Sequence, residues 1–173
     1  MKKIAITGPE SSGKTTLAQL LATHFQTVWV PEFARTYLSD LNRPYTLEDL
    51  EIIAEGQLAL EKAYPQNDSR LIFCDTDICV LKIWSEFRFG TCSTKINNAF
   101  QSQIYDHTLL CRPDIEWVPD PLRENPHDRD LLFDKFIDLL NQKKASYTII
   151  EGDAALRFKT AVEAVESSLD TFA

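Results

Sequence analysis

Glycine is scarce in this sequence, and long apolar runs are missing. Only five of the 173 residues are glycine, and no repeat or low-complexity tract occurs. No apolar run approaches the ~20 residues that a membrane-spanning helix requires. The apolar stretch that follows Met1-Lys2-Lys3 is too short for the core of a secretory signal. The sequence therefore predicts a cytoplasmic protein without a membrane partner.

Metal-binding cysteine pairs and a basic surface are also lacking. The four cysteines form no C-x-x-C pair and have no nearby His-x-x-x-His, which disfavours a zinc or redox site. Cys74 and Cys111 lie instead in apolar runs that are typical of buried thiols. The net charge is -8, whereas nucleic-acid binding requires a dense basic patch. We expect no nucleic-acid partner, and an anionic substrate would have to be held by a few local cations or amides.

The sequence does contain enough apolar residues for one α/β domain of ordinary size. Hydrophobic residues make up 44% of the chain, which suits a single domain over residues 1–173 and leaves homo-oligomerisation open. Continuous apolar runs recur, separated by helical stripes, at residues 3–7, 27–30, 71–75, 108–111 and 147–150. Such runs are typical of parallel strands buried on both faces. The alternation predicts a three-layer, doubly wound α/β fold with a five-stranded parallel sheet.

One segment interrupts this alternation. Residues 112–129 contain four of the eight prolines, Pro113, Pro119, Pro121 and Pro126. Proline removes an amide donor and disfavours regular structure around it. A loop of this length inside a compact domain is commonly a lid or a binding loop. The alternative is a solvated surface excursion.

The strongest motif is G-x-x-x-x-G-K-[ST], which residues Gly8 to Thr15 match at every fixed position. Its glycines let main-chain N–H groups wrap around a phosphate, and the following helix adds the positive end of its dipole. The lysine reaches the β- and γ-phosphates of ATP, and the last hydroxyl ligates Mg²⁺. A strand before the motif and a helix after it predict a P-loop NTPase fold. The nucleotide-binding residues are accordingly Gly8, Glu10, Ser11, Ser12, Gly13, Lys14, Thr15 and Thr16.

Carboxylates follow the predicted strands where ligands bind in open α/β sheets. Glu32 follows the second strand and could accept the proton of a substrate hydroxyl. Asp75 follows the third strand, where it could hold Mg²⁺, and Asp77 could face the acceptor substrate. Both aspartates could instead cap the helix that begins near Ile78. Gly152, after the fifth strand, could let the main chain approach an adenine, or could mark a turn.

Three arginines are available to neutralise charge that develops during phosphoryl transfer. Arg35 lies just beyond Glu32, and Arg123 and Arg129 lie in or at the edge of the proline-rich segment. That position predicts a lid that brings arginine onto the phosphates when it closes. The usual alternative for an isolated arginine is a solvated surface position. We expect Arg123 to be catalytic, together with Lys14, Glu32 and Asp75, and Arg129 to contact the nucleotide.

The combination of motifs resembles a known family. Gly-Pro-Glu-Ser-Ser-Gly-Lys-Thr, then Pro-Glu-Phe-Ala-Arg-Thr-Tyr from Pro31, then Asp-Thr-Asp from Asp75, then Glu-Trp-Val-Pro-Asp-Pro-Leu-Arg from Glu116, is similar to the ribosylnicotinamide kinase domain of NadR-type NAD-salvage proteins. This is a P-loop, nucleoside-kinase-like domain with an AAA-type ATP-binding core. The resemblance extends from Ile4 to the last helix.

The resemblance implies that ATP phosphorylates the 5′-hydroxyl of nicotinamide riboside. By analogy with nucleoside-kinase-like folds, Glu32, Asp75 and Asp77 surround the ribose, and Trp117 or Tyr37 stacks on the pyridinium ring. Arg35 belongs to the same acceptor site. The larger NadR proteins also carry an adenylyltransferase domain, which does not fit in 173 residues. We therefore expect a stand-alone kinase domain.

Two other functions stay open at this point. One is a P-loop kinase that acts on another nucleoside or on a small alcohol. The other is a regulatory module that hydrolyses or senses a nucleotide. The sequence has no evident Asn-Lys-x-Asp guanine signature, and its proline-rich segment resembles kinase lids more than switch regions.

Overall fold

A computed structural model describes residues 1–64 and 71–170 of the chain. Five strands form one sheet: β1 (Lys2–Thr7), β2 (Val28–Val30), β3 (Leu71–Asp75), β4 (His107–Cys111) and β5 (Tyr147–Ile150). Their order is β2-β3-β1-β4-β5, and every neighbouring pair is parallel. The predicted five-stranded parallel sheet is confirmed. All residues of β3 and β4 are buried, which explains why each contains a continuous apolar run and no alternation of polar and apolar residues.

The described residues contain seven helices, which pack on the two faces of this sheet. They are α1 (Lys14–His24), α2 (Phe33–Ser39), α3 (Leu47–Ala63), α4 (Ile78–Phe89), α5 (Thr94–Ser102), α6 (Arg129–Gln142) and α7 (Ala154–Asp170). One core joins α1 and α7 to side chains such as Ile4 and Phe73. A larger core contains residues of α2 to α6 and lies on the side of Leu110. The helices therefore form two layers around the sheet, as the strand–helix alternation predicted.

The proline-rich segment contains no helix or strand between Cys111 and Arg129. Arg129, which we included in the predicted lid, is the first residue of α6. The segment crosses the carboxyl end of the sheet and contacts the loop between β1 and α1, for example where the N–H of Val118 donates to the Ser11 hydroxyl at 3.1 Å. We refer to residues 112–128 as the lid segment. Within the described residues, no helix is both long enough and apolar enough to cross a bilayer.

Candidate active site

Two glycines give the loop between β1 and α1 a backbone conformation that other residues rarely adopt. Gly8 has φ +137°, and a Cβ there would lie 2.4 Å from the carbonyl oxygen of Cys111. Gly13 has φ +82° and directly precedes α1, which begins at Lys14. Glycine has no side chain with which to cap a helix. The main-chain N–H groups in the first turn of α1 are therefore free to face the loop. Such a helix start attracts anions.

Lys14 occupies the mouth of this loop. Its ammonium group donates hydrogen bonds to the carbonyl oxygens of Gly8 and Pro9, at 2.9 and 2.7 Å. The Ser12 hydroxyl also donates to Pro9 O, at 2.7 Å. The loop, the helix start and the lysine thus place positive charge around one small volume, which is the arrangement that binds the terminal phosphates of a nucleotide.

A cavity of about 200 Å³ adjoins the loop. Its polar half is formed by the loop together with Glu32, Arg35 and Arg123. Its other half is apolar, and the side chains that form it come mainly from α2, α4, α6 and the lid segment: Ala34, Leu38, Val80, Ile83, Trp84, Phe87, Leu122, Leu132 and Phe136. The cavity therefore joins a phosphate-binding end to a pocket that suits a flat organic group.

Asp75 ends β3 beside the phosphate loop and is only 2% exposed. Burial raises the pKa of its carboxyl group to about 6, against the lowering effect of a hydrogen bond with the Thr15 side chain and of the Lys14 charge. The next residue, Thr76, has φ +85°, which is unusual for a β-branched residue and marks backbone strain at the strand end. Asp75 thus lies beside the first turn of α1, close to Lys14 and Thr15.

The surroundings of Asp75 fit a magnesium ion. Its Oδ1 is buried and has no hydrogen-bond partner among the described residues, and the Thr15 hydroxyl is adjacent. Magnesium prefers oxygen ligands and usually takes only one or two from the protein, with substrate phosphates and water supplying the rest. The part of the chain that the structure describes accordingly shows no cluster of three or more His, Cys, Asp or Glu side chains that could hold a metal.

Glu32 and Arg35 lie at the start of α2, at the rim of the cavity. Glu32 is the residue before the helix, and it is close enough that its charge raises the pKa of Asp75 further. Arg35 is half exposed and pairs with Asp120 of the lid segment at 3.0 Å. The predicted carboxylates Glu32 and Asp75 are thus brought together.

Two arginines of the predicted lid bind the phosphate loop. Arg123 donates to the Ser11 hydroxyl at 3.3 Å and to the carbonyl oxygen of Val118. Arg129 does not line the cavity; it donates to the main-chain oxygens of Ser11 and Ile115, at 3.2 and 3.0 Å. Arg123 is therefore the one of the two that faces the cavity.

Besides Asp75 and Arg129, four predicted residues do not line the cavity. Asp77 is 3% exposed, caps α4 by accepting from Val80 N at 3.2 Å, and accepts from the Thr7 hydroxyl at 2.8 Å. Tyr37 and Trp117 do not offer their rings to the cavity either. The Tyr37 hydroxyl donates to Asp49 at 2.7 Å, and the Trp117 ring lies 5.6 Å from the Arg129 guanidinium.

Gly152 also lies outside the cavity and forms a turn. It has φ +90°, and its N–H donates to Asp114 Oδ2 at 2.7 Å. A φ in this range favours glycine. The main chain at Gly152 therefore has the conformation of a turn, which was the alternative to an adenine contact.

Sequence reasoning missed the aromatic side of the cavity. Trp84 and Phe87 line it, together with Val80 and Ile83 of the same helix. These residues have the i, i+3, i+4, i+7 spacing of one helix face. The spacing was visible in the sequence, but it is equally typical of an ordinary core-facing stripe.

The sequence also did not reveal the role of Arg157 of α7. Arg157 is 7% exposed and donates to the main-chain oxygens of Ser12 and Gly152, both at 3.0 Å. Its other terminal nitrogen bonds the carbonyl oxygen of Arg112 and the carboxylate of Asp114, both at 2.5 Å. The phosphate loop is thus fixed from behind by a residue far along the chain.

Comparisons with known proteins agree with this fold. The chain is 25% identical over 176 residues to the trifunctional NAD biosynthesis/regulator protein NadR of Salmonella typhimurium, an alignment that covers 98% of this chain and 43% of that protein. A crystal structure of NadR protein in complex with NR superposes with a TM-score of 0.82 at 22% identity, over 96% of this chain and 51% of that one. Thymidylate kinase from Ehrlichia chaffeensis superposes with a TM-score of 0.67 at 14% identity, over 96% and 97% of the two chains.

The chain spans less than half of the curated NadR relative and about half of the solved NadR chain. The resemblance to NadR-type kinase domains is confirmed, and the predicted P-loop fold of nucleoside and nucleotide kinases is confirmed with it. The AAA domain profile matches residues 3–157. Because that match extends over most of the chain, this protein belongs to the AAA domain family.

Proposed function

We propose that this protein transfers the γ-phosphoryl group of ATP to the 5′-hydroxyl of nicotinamide riboside, which yields nicotinamide mononucleotide. The observation that carries the proposal is the cavity, in which a P-loop with its lysine opens directly onto carboxylates and an aromatic wall. Similarity to NadR supports this substrate, since the solved NadR structure contains NR.

The charges beside the cavity favour a cationic or neutral nucleoside over a nucleotide as the acceptor. Glu32 lines the cavity, the buried Asp75 lies close to Glu32, and Arg35 already pairs with Asp120. Nicotinamide riboside carries a positively charged pyridinium ring, which is attracted to carboxylates and to the faces of aromatic rings. Trp84 and Phe87 supply those faces, in place of the Tyr37 and Trp117 that the resemblance implied.

The chain's own residues suffice to assign each part of the transfer. The loop amides and Lys14 hold the β- and γ-phosphates. Glu32 accepts the proton of the 5′-hydroxyl while that oxygen bonds to the γ-phosphorus, and the bond to the β–γ bridging oxygen breaks to release ADP. Arg123 offsets charge that accumulates on the phosphoryl oxygens. Thr15 and Asp75 would hold a magnesium ion, which neutralises phosphate charge when bound.

A panel of acceptors tests the proposal. Purified protein with ATP and Mg²⁺ is offered nicotinamide riboside, adenosine, uridine, thymidine and glycerol in turn, and ADP formation is followed with a coupled assay. We expect turnover with nicotinamide riboside well above every other acceptor. Preference for another riboside would contradict nicotinamide riboside as the substrate, whereas the assignment as a kinase would remain. ADP formation that does not depend on any acceptor would indicate a nucleotide-hydrolysing module and would contradict the proposal.

A further inference from the structure

Two consecutive residues of the lid segment, Glu124 and Asn125, line the cavity and connect the phosphate loop with its aromatic side. They come shortly after the turn at Pro121 and Leu122, and we call them the lid turn. Glu10 of the phosphate loop accepts hydrogen bonds from the main-chain N–H groups of both residues, at 3.1 Å for Glu124. These bonds depend on the backbone of the turn and not on its side chains. A carboxylate that accepts main-chain N–H groups forms charge-assisted bonds, which are stronger than neutral ones.

The other side of the lid turn reaches the aromatic wall. The carboxylate of Glu124 accepts from the Tyr45 hydroxyl at 2.6 Å, and that hydroxyl accepts from Trp84 Nε1 at 2.9 Å. The rings of Tyr45 and Trp84 also meet edge to face, with centroids 5.0 Å apart. Burial and the Glu124 hydrogen bond raise the pKa of Tyr45 to about 12, so the phenol remains a donor at neutral pH.

We propose that Glu10 and Tyr45 are positioning residues that couple nucleotide binding to acceptor binding through the lid turn. The coupling path runs from the phosphate loop through Glu10 to the lid turn, and from Glu124 through Tyr45 to Trp84. Neither residue has to touch the transferred phosphoryl group. The proposal rests on the function proposed above, since it assigns the aromatic wall to the acceptor.

The physical reason is that the bonds to Glu10 and the bond to Tyr45 form together in one position of the lid turn. When Glu10 holds the turn, Glu124 is placed to accept from Tyr45, and Trp84 keeps a partner for its indole N–H. When Tyr45 loses its hydroxyl, the turn loses its attachment on the acceptor side, and Arg123, which precedes it, is held less firmly against the phosphate loop. Each half of the site should therefore respond to a change in the other.

Cross-effects between the two halves test the proposal. Tyr45→Phe removes only the hydroxyl on the acceptor side, and we expect it to weaken MgATP binding by roughly two- to tenfold, the effect of one hydrogen bond. This is measured by calorimetry with no acceptor present. Glu10→Gln changes only the phosphate loop, and we expect the KM for nicotinamide riboside to rise by a similar factor. Because the two residues act through one turn, the double variant should be less impaired than the product of the single effects.

Matched controls make the same chemical changes elsewhere. Tyr147→Phe removes a hydroxyl whose hydrogen bond in the described part of the chain is to Asn141, and Glu55→Gln alters an exposed carboxylate on α3. Both variants should behave as the unaltered protein. Glu124→Ala breaks the same link at an exposed side chain and should reproduce the Tyr45→Phe result even if the phenol proves necessary for folding.

The coupling would be contradicted if Tyr45→Phe left MgATP binding unchanged and Glu10→Gln left the KM for nicotinamide riboside unchanged. The calorimetric arm requires no acceptor, so it remains decisive if nicotinamide riboside proves not to be the substrate. Conversely, failure of the unaltered protein to phosphorylate nicotinamide riboside would contradict the proposed function and leave the coupling result standing.

Discussion

Glu32 is the residue on which the proposed chemistry depends most directly. It lies at the cavity rim next to Asp75, and we assign it the proton of the acceptor hydroxyl. Glu32→Gln keeps the shape of the side chain but removes its basicity. We expect kcat to fall by about 100-fold or more, within the usual contribution of a general base, while the Kd for MgATP is unchanged. Rapid-quench kinetics and calorimetry measure the two quantities.

Glu166→Gln, at an exposed position on α7, is the matched control for that experiment and should leave kcat unaltered. A normal kcat in Glu32→Gln would transfer the role of base to Asp75. The pKa of about 6 that burial gives Asp75 leaves that carboxylate ionised at neutral pH, so it could accept a proton there.

At the residue scale, local motifs were predictable and side-chain directions were not. The phosphate loop could be read from eight consecutive residues because glycine spacing fixes its backbone. Asp77 could not be placed in the same way. Its carboxylate turns inward because the Thr7 hydroxyl of the neighbouring strand and the Val80 N–H both donate to it. Thr7 is 70 residues away along the chain, and no local pattern reveals that contact.

Among the helices, the start of α4 distinguishes a structural aspartate from a substrate-binding one. We expect Asp77→Asn to keep the cap, because Asn and Asp are comparable at this position, and to leave the acceptor KM unchanged. Asp77→Ala removes the cap and leaves the buried Thr7 hydroxyl without its acceptor, which should lower the free energy of unfolding by about 2 kcal/mol. Urea denaturation and steady-state kinetics test the pair. A raised KM in Asp77→Asn at unchanged stability would restore the substrate role.

The junction between α2 and α3 should make stability depend on pH. Asp49 is 1% exposed and accepts from Tyr37, Arg43 and Thr46. The hydrogen bonds from Arg43 contribute most to holding the pKa of Asp49 well below its usual range, against the opposing effect of burial. The unfolded chain therefore binds this proton more readily than the native protein does. The stabilisation is fully present above pH ~4 and is lost as the pH falls towards the depressed native value.

Asp49→Asn tests that dependence. At pH 7 the variant loses a charged acceptor, and we expect the free energy of unfolding to fall by about 2 kcal/mol. The difference from the unaltered protein should shrink as the pH is lowered below ~4, because Asp49 of the unfolded chain takes up a proton there while the native carboxylate is still ionised. Urea titrations between pH 3 and pH 7 measure it, with the exposed Asp134→Asn as control. A difference that is independent of pH would contradict the argument.

For the molecule as a whole, the sheet could be predicted from the sequence. The assembly of the site could be predicted only in part. Apolar runs of four or five residues predicted each strand, because strands buried on both faces admit few polar residues. The order of the strands places β1 in the middle of the sheet, between β3 and β4, and so brings Asp75 beside the phosphate loop. The aromatic wall was not predicted, because it depends on which face of α4 meets the cavity.

Arg157 joins segments that are distant in the sequence, and its loss should affect the entire protein. Arg157→Met keeps most of the side-chain volume but leaves the Ser12, Gly152 and Arg112 oxygens without their donor. The buried guanidinium also pairs with the partly exposed Asp114, and losing these charge-assisted hydrogen bonds should cost about 3 kcal/mol. We expect that loss in chemical denaturation, together with weaker MgATP binding. Lys159→Met, two residues on and exposed, should change neither.

The same guanidinium makes the end of α7 nearest the sheet indispensable to a motif that begins almost 150 residues earlier. A protease that trimmed the chain back past Arg157 would leave every residue from Gly8 to Thr15 intact. The shortened fragment should nevertheless release ATP, because the loop whose main-chain amides bind the phosphates would have lost the hydrogen bond from Arg157 that holds it in place.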